Sequence, residues 1–307
     1  MNMHHQRQRA FTRHHGFTLI EAVVVIVITG IIAGMVAIFI KAPVQSYMDT
    51  RDRAELTDSA SAALRKMRVD LRLALPNSIR VDVVNEGGIQ VQYLELLLTR
   101  TGARYQAAGD GYAANSGDLS FTDTGATTFN YIGPLLTGSQ AIQPGDSIVI
   151  YNLGVGQAPA DAYQGGNRAL VASVAGKAVT MDSNPYAQAG TFESPSHRFQ
   201  VVTTAVTYRC APAAQGGEVR RYWNYQIQEA QPALAGLAIQ DTARPVALQV
   251  TPQNALLAGD VRACLFGYGT DANRRSGLIG LSFTLEKRGG NAGTVTLFDQ
   301  VHVDNTP

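Results

Sequence analysis

Between Phe17 and Ile40 one charged residue, Glu21, stands near the start of a run that is otherwise uncharged and mostly apolar. From Ala22 to Ile40 the length is close to the ~20 residues that a helix needs to span a hydrocarbon core of about 30 Å. A carboxylate at membrane depth costs roughly 2.5 to 3.5 kcal/mol on insertion scales. A run of this kind therefore specifies a membrane helix and, at the same time, a partner for its acid.

What precedes the run sets its direction. Met1 to Gly16 contains Arg7, Arg9 and Arg13 and no acid. Positive charge ahead of a span keeps the N-terminus in the cytoplasm and sends the rest across. The run is not followed by a small-residue cleavage site of the secretory type, since Lys41, Ala42 and Pro43 come next. The whole chain of 307 residues carries a formal +1. With three arginines in the leader, −2 remains for everything after it, and no cluster of Lys and Arg marks a general nucleic-acid footprint.

The segment "GFTLIEAVVVIVITGIIAG" resembles the class III signal of type IV pilins and type II secretion pseudopilins. The shared features are a basic leader, Gly16 at the cleavage point, Phe17 as the new N-terminus and a solitary acid, Glu21, five residues into the mature chain. The resemblance implies that a prepilin peptidase cuts after Gly16 on the cytoplasmic side and methylates the Phe17 amine. It also implies that the chain passes to an inner-membrane assembly platform and to other major and minor pilins, and that its head is periplasmic before it reaches a pilus at the cell surface. In a filament the amine of one subunit then meets Glu21 of a neighbour, which supplies the missing partner. Gly30 and Gly34 lie in the same run with the small-xxx-small spacing that lets apolar helices approach closely. The end "TLFDQVHVDNTP" is similar to that of the O-type prepilin of mannose-sensitive haemagglutinin (MSHA) pilus biogenesis systems.

Beyond Ile40 the pattern changes. Leu56, Ala60, Ala63, Leu64, Met67, Leu71 and Leu75 recur at helical spacing with charged residues between them, so this half is amphipathic. Pro43 predicts a kink, and Pro76 with Asn77 predicts the helix end. Thereafter strands are expected at "SIRVDVV", "IQVQYLELLL", "DSIVIY", "RALVASV", "KAVTM", "RFQVVTTAVTYRC", "EVRRYWNYQIQ", "GLIGLSFTLE" and "TVTLFDQVHV", with a turn at Asn85 to Gly88. The stretches 102–117 and 154–166 read as long surface loops. The expected fold class is α+β and pilin-like. Residues 1–16 form a cleaved leader, 17–76 a helix that is transmembrane at 17–40, and 77–307 a large antiparallel β-rich head.

The two cysteines, Cys210 and Cys264, fall in the exported part. An oxidising periplasm favours a disulfide, worth about 4 kcal/mol for a loop of this span. No zinc spacing, phosphate loop or nucleophile elbow appears, so neither a metal nor another cofactor nor an enzyme is expected. His4, His5, His14 and His15 belong to the leader, and Asp110, Asn115 and Asp118 lack the spacing of a calcium loop. "RRYWNYQ" is read as one alternating strand, with Arg220, Tyr222, Asn224 and Gln226 on one face and Arg221, Trp223, Tyr225 and Ile227 on the other. Three functions follow from the resemblance: a minor pilin of an MSHA-like filament, a minor type II secretion pseudopilin of the J type, or an adhesive subunit that binds carbohydrate or DNA.

The processing expectation is checked by intact mass. The membrane-extracted protein should begin at Phe17 with one added methyl group, and a bulky replacement of Gly16 should leave the leader attached. A mature N-terminus beyond Ile40 contradicts the class III reading.

Overall fold

The computed structural model describes residues 16–110, 117–268, 277–289 and 293–306. The leader residues before Gly16, including its four histidines, lie outside them. Among the described residues one long helix, α1 (Leu19–Arg72), is followed by twelve strands. Backbone contacts divide the chain into two compact units, one ending at Arg51 and the other beginning at Asp52. In the second unit α1 buries Leu56, Ala60, Ala63, Leu64, Met67, Asp70 and Leu71, which is one face of the amphipathic pattern. The helix runs through Pro43 without a break and stops at Arg72, short of the expected end at Pro76. Strand pairing is the reason. Ala74 bridges Leu98, the Leu75 amide donates to the Leu97 carbonyl at 2.8 Å, and the Thr99 amide donates to that of Leu73 at 2.8 Å.

The head is built on two long antiparallel strands, β2 (Ile89–Tyr105) and β7 (Arg198–Ala211), paired from Gln92 with Cys210 to Arg104 with Arg198. At one end they are the middle of a five-stranded sheet, joined by β1 (Arg80–Glu86), β8 (Glu218–Trp223) and β9 (Gln253–Ala258). At the other end the same two strands close a six-stranded ring with β3 (Thr128–Ile132), β4 (Ser147–Val149), β5 (Arg168–Ala175) and β6 (Ala178–Met181), in the order β2-β3-β6-β5-β4-β7. Register shifts at Leu98, Thr99 and Thr101 fall where sheet gives way to ring. An extra residue bends a strand and increases its twist, which is what the change of partners requires. The ring is filled by Phe129, Ile148, Val171, Val179, Phe199 and Val201 among others. Its excursion leaves and returns at one place, since the Tyr105 amide donates to the His197 carbonyl at 2.8 Å.

Both faces of the five-stranded sheet are covered, which explains the near-continuous apolar run in β2. Leu94 and Leu96 share a core with α1, whereas Val91, Tyr93 and Leu97 pack under loops that contribute Tyr163, Tyr225 and Leu237. A three-stranded sheet, β10 (Val261–Gly267), β11 (Leu278–Glu286) and β12 (Thr294–His302), closes the helix-side core with Ile279, Leu281, Phe283 and Leu285. Cys210 of β7 and Cys264 of β10 are joined, with their Cα atoms 6.6 Å apart. The turn between β1 and β2 is Gly87–Gly88, both at positive φ, as a two-residue hairpin of the primed type demands.

Several sequence expectations are corrected here. Strands β3, β9 and β10 were not expected, and β4 keeps only three residues of "DSIVIY". Gly102 to Tyr105 belong to β2, not to a loop. The 154–166 loop is not a surface loop throughout, because Ala160, Asp161, Ala162 and Tyr163 are buried. Strand β8 ends at Trp223, and Asn224 at φ 63° breaks the alternation. Tyr225 accordingly joins Tyr222 in the loop-covered core, while Trp223 packs on the helix side.

One buried charge ties α1 to this scaffold. Asp70, 1% exposed, accepts hydrogen bonds from Tyr208 Oη at 2.6 Å, Arg221 Nε at 2.7 Å and Lys66 Nζ at 2.9 Å. Burial pushes its carboxyl up, but the bonds from Tyr208 and Lys66 and the Arg221 charge outweigh burial and hold it below the ordinary range. A depressed folded value means that the stabilisation is complete above the unfolded value of about 4 and is lost as pH falls below it. Asp70→Ala leaves Arg221 buried without its acid and should cost about 3 kcal/mol or more. Urea melts of the full chain in micelles between pH 3 and 7 check this. The parent should lose stability towards pH 3 more steeply than the variant.

Candidate processing and assembly site

The N-terminal residues that the sequence singles out lie together at the head of α1. Gly16 and Phe17 precede the helix, and Phe17 is 83% exposed. Thr18 caps it: its hydroxyl accepts from the Glu21 amide at 3.3 Å, and its carbonyl accepts from the Ala22 amide at 3.2 Å. Thr18 and Glu21 thus occupy the first and last positions of a T-x-x-E capping box. Glu21 lies in the first helical turn, where the partial positive charge of the unpaired amides favours a carboxylate by about 0.3 to 1 kcal/mol. That is less than the insertion cost of roughly 2.5 to 3.5 kcal/mol at a helix centre. The helix end therefore offsets part of the cost of this charge.

The rest of the span is exposed among the described residues. Val23 to Ile40 present every large apolar side chain to the outside, and a Cβ built on Gly30 or Gly34 meets nothing within 4 Å. The helix is long and apolar enough to cross a membrane, and none of its apolar window is buried. Residues 11–37 match the family model of the prokaryotic N-terminal methylation motif. The chain carries a type IV pilin-like prepilin signal. No curated protein and no solved structure matches it. The signal implies processing by a prepilin peptidase, membrane anchoring through the apolar helix and assembly with other pilins, and it points to a structural subunit.

The head's candidate groups do not converge. The polar side of β8 is occupied internally, since Arg220 donates to Glu218 at 2.8 Å and to Asn254 at 3.0 Å. Asp110 accepts from Arg104 at 2.8 Å and from the Ala107 amide at 3.0 Å, whereas Asp118 accepts from Gln106 at 2.6 Å. Asn115 lies outside the described residues. Among the described residues no three His, Cys, Asp or Glu side chains gather as a metal site would need. A cleft of about 730 Å³ runs between Ile79–Asp82, Leu153–Val155 and Glu229–Gln231. Its basic residue, Arg80, spends its donors on buried Glu95 at 2.7 Å and on the carbonyls of Gln228, Glu229 and Ala230, and it stacks on Tyr163 at 3.6 Å. Glu95 is completed by Tyr225 Oη at 2.8 Å. This ion pair holds the 228–230 loop to the sheet.

Sequence reasoning passed over Thr18, Asp70 and the Arg80–Glu95 pair. The T-x-x-E spacing was a legible signal for the first. The other two carry none, because the partners that decide them, Tyr208 and Arg221 for Asp70 and Glu95 for Arg80, are more than a dozen residues away. Thr18→Val removes the capping oxygen, which is worth about 1 kcal/mol. Amide exchange at residues 19–22 in micelles should speed up roughly fivefold, with the head's amides unchanged.

Proposed function

We propose that this chain is a minor type IV pilin of an MSHA-like filament, inserted with its N-terminus in the cytoplasm and its head outside, and that it helps to initiate or assemble the fibre. The observation that carries this reading is the solitary Glu21 at the capped start of a helix whose large apolar side chains from Val23 to Ile40 are all exposed. Once cleavage after Gly16 frees the Phe17 amine, an adjacent subunit brings that cation to Glu21, and neighbouring helices cover the apolar surface around Gly30 and Gly34. A large head supports a minor place in the filament, and the C-terminal "TLFDQVHVDNTP" supports the MSHA-like assignment. In this reading Cys210–Cys264 is a structural clip of the exported head. A prepilin signal fits a type II secretion pseudopilin equally well. Deletion separates the two, because loss of surface fibres supports the pilus role and a secretion defect supports the other.

The mechanism is tested at Glu21. Glu21→Ala should stay inserted, because removing a carboxylate makes membrane residence easier. Cleavage should persist, since Gly16 and the basic leader are untouched. Assembly should fail, as the amine then enters an apolar environment with no counter-charge. Fractionation reads out membrane retention, cleavage and co-purification with other pilins. An Ala variant that enters complexes as well as the parent does would exclude the charge pair.

A further inference from the structure

We propose that a pocket at the junction of β2 and β7 binds an acidic sugar through its carboxylate. The pocket holds about 700 Å³ and is lined by Gly102–Arg104 and Pro195–Gln200. The ring buries Tyr105, Phe199 and Val201, so by alternation Gly102, Arg104, Arg198 and Gln200 face outward. Arg104 is the direct partner of Arg198 across the strand pair, as Gly102 is of Gln200. Two guanidinium groups therefore rise side by side, and like charges directly opposite destabilise a strand pair. Asp110 relieves one of them, accepting from Arg104 Nη2 at 2.8 Å. Arg198 is exposed, and its side chain has no hydrogen-bonded or ionic partner among the described residues. His197 Nδ1 lies 3.3 Å from the same Nη2. Arginine only donates, so the ring accepts there and, when neutral, carries its proton on Nε2. The Gln200 amide lies across Gly102, where a Cβ would collide with it, and it too has no partner among the described residues. No carboxylate belonging to them lines the pocket.

These donors select the ligand. A guanidinium fork matches the two oxygens of a carboxylate. The Gln200 amide, which both donates and accepts, matches a hydroxyl beside that carboxylate, and the volume is that of a small-molecule site. A nucleic-acid strand instead calls for cations spaced along its track and for free rings on which bases stack. The next arginine on β2, Arg100, is spent on Asp146 at 3.2 Å and on the Ala141 carbonyl at 3.3 Å. The His197 ring already packs against Tyr105, with centroids 5.5 Å apart. The site belongs to the head alone and does not depend on which fibre the chain enters.

The test is calorimetric titration of the full chain in zwitterionic micelles, with sialyllactose and trigalacturonate as probes. At least one should bind, and its methyl ester should bind at least tenfold more weakly. Arg198→Gln should weaken binding at least tenfold without lowering the melting temperature, since it removes a repelling charge and breaks no bond. Gln200→Glu, which places an acid in the pocket, should abolish binding, whereas Arg65→Gln on the exposed side of α1 should leave it unchanged. Failure of both acidic probes to bind overturns the proposal. So does equal affinity for lactose, acetate or inorganic sulfate, tighter binding of an oligothymidylate, or an affinity indifferent to Arg198→Gln.

Discussion

The pairing of β2 with β7 is the constraint on which the head depends. Where the pair is buried on both faces, from Val91 to Leu97 of β2, its backbone has no water, so each amide and carbonyl must find a strand or loop partner. Neighbours flank both outer sides: β1 beside β2 as far as Glu95 and β3 at Arg104 and Tyr105, and β8 and then β4 beside β7. The bulges at Leu98 to Thr101 are where one set of neighbours hands over to the other. The same stretch receives the end of α1 through the Leu73–Thr99 and Leu75–Leu97 bonds. Helix, sheet and ring therefore meet at one short segment, and Asp70 fixes the helix to it from the β7–β8 side.

Much of this was legible because local patterns carried it. The apolar run, the basic leader and Glu21 identify the membrane helix before any fold is known. The 3.6-residue spacing from Leu56 to Leu71 marks the buried face, and the alternation Ile279, Leu281, Phe283, Leu285 announces β11. Strands with strong β-branched content were recovered for the same reason. The order of strands was not recoverable, since nothing local in "TTFNYI" says that β3 sits between β2 and β6.

The failures share a physical origin. Tyr225 was placed on the wrong face because one residue in the left-handed region, Asn224, resets the period-two count. Residues 160–163 looked exposed because the interval around them is rich in Gly and Ala, yet they are pulled inward. Tyr163 donates to the Ser78 carbonyl at 2.8 Å, and Asn152 accepts from the Ala162 amide at 3.0 Å. The helix end was misjudged because proline marks where a helix cannot continue, and a strand captured the chain before it got there. At the candidate site the residues named from sequence are those whose chemistry is local, Gly16, Phe17 and Glu21. The groups that hold the head together, Asp70, Arg80 and Glu95, acquire their meaning from distant partners, Tyr208 and Arg221 for the first and each other for the pair.

The ring has a consequence for how such a head changes size. Everything from Gln106 to His197 departs from the end of β2 and returns to the start of β7 at adjacent points, with the Tyr105 amide on the His197 carbonyl. A segment whose ends already touch can lengthen with little change in closure entropy, about 0.6 kcal/mol for each doubling of a flexible loop. It can also fold around its own interior, as the cluster from Tyr105 to Val201 does. The helix, the five-stranded sheet and the disulfide-linked sheet lie outside that excursion. The junction at Tyr105 and His197 is therefore where this architecture can gain length and keep the register of the strands that carry it, provided that Tyr163 still covers Val91 and Tyr93 and still reaches the Ser78 carbonyl.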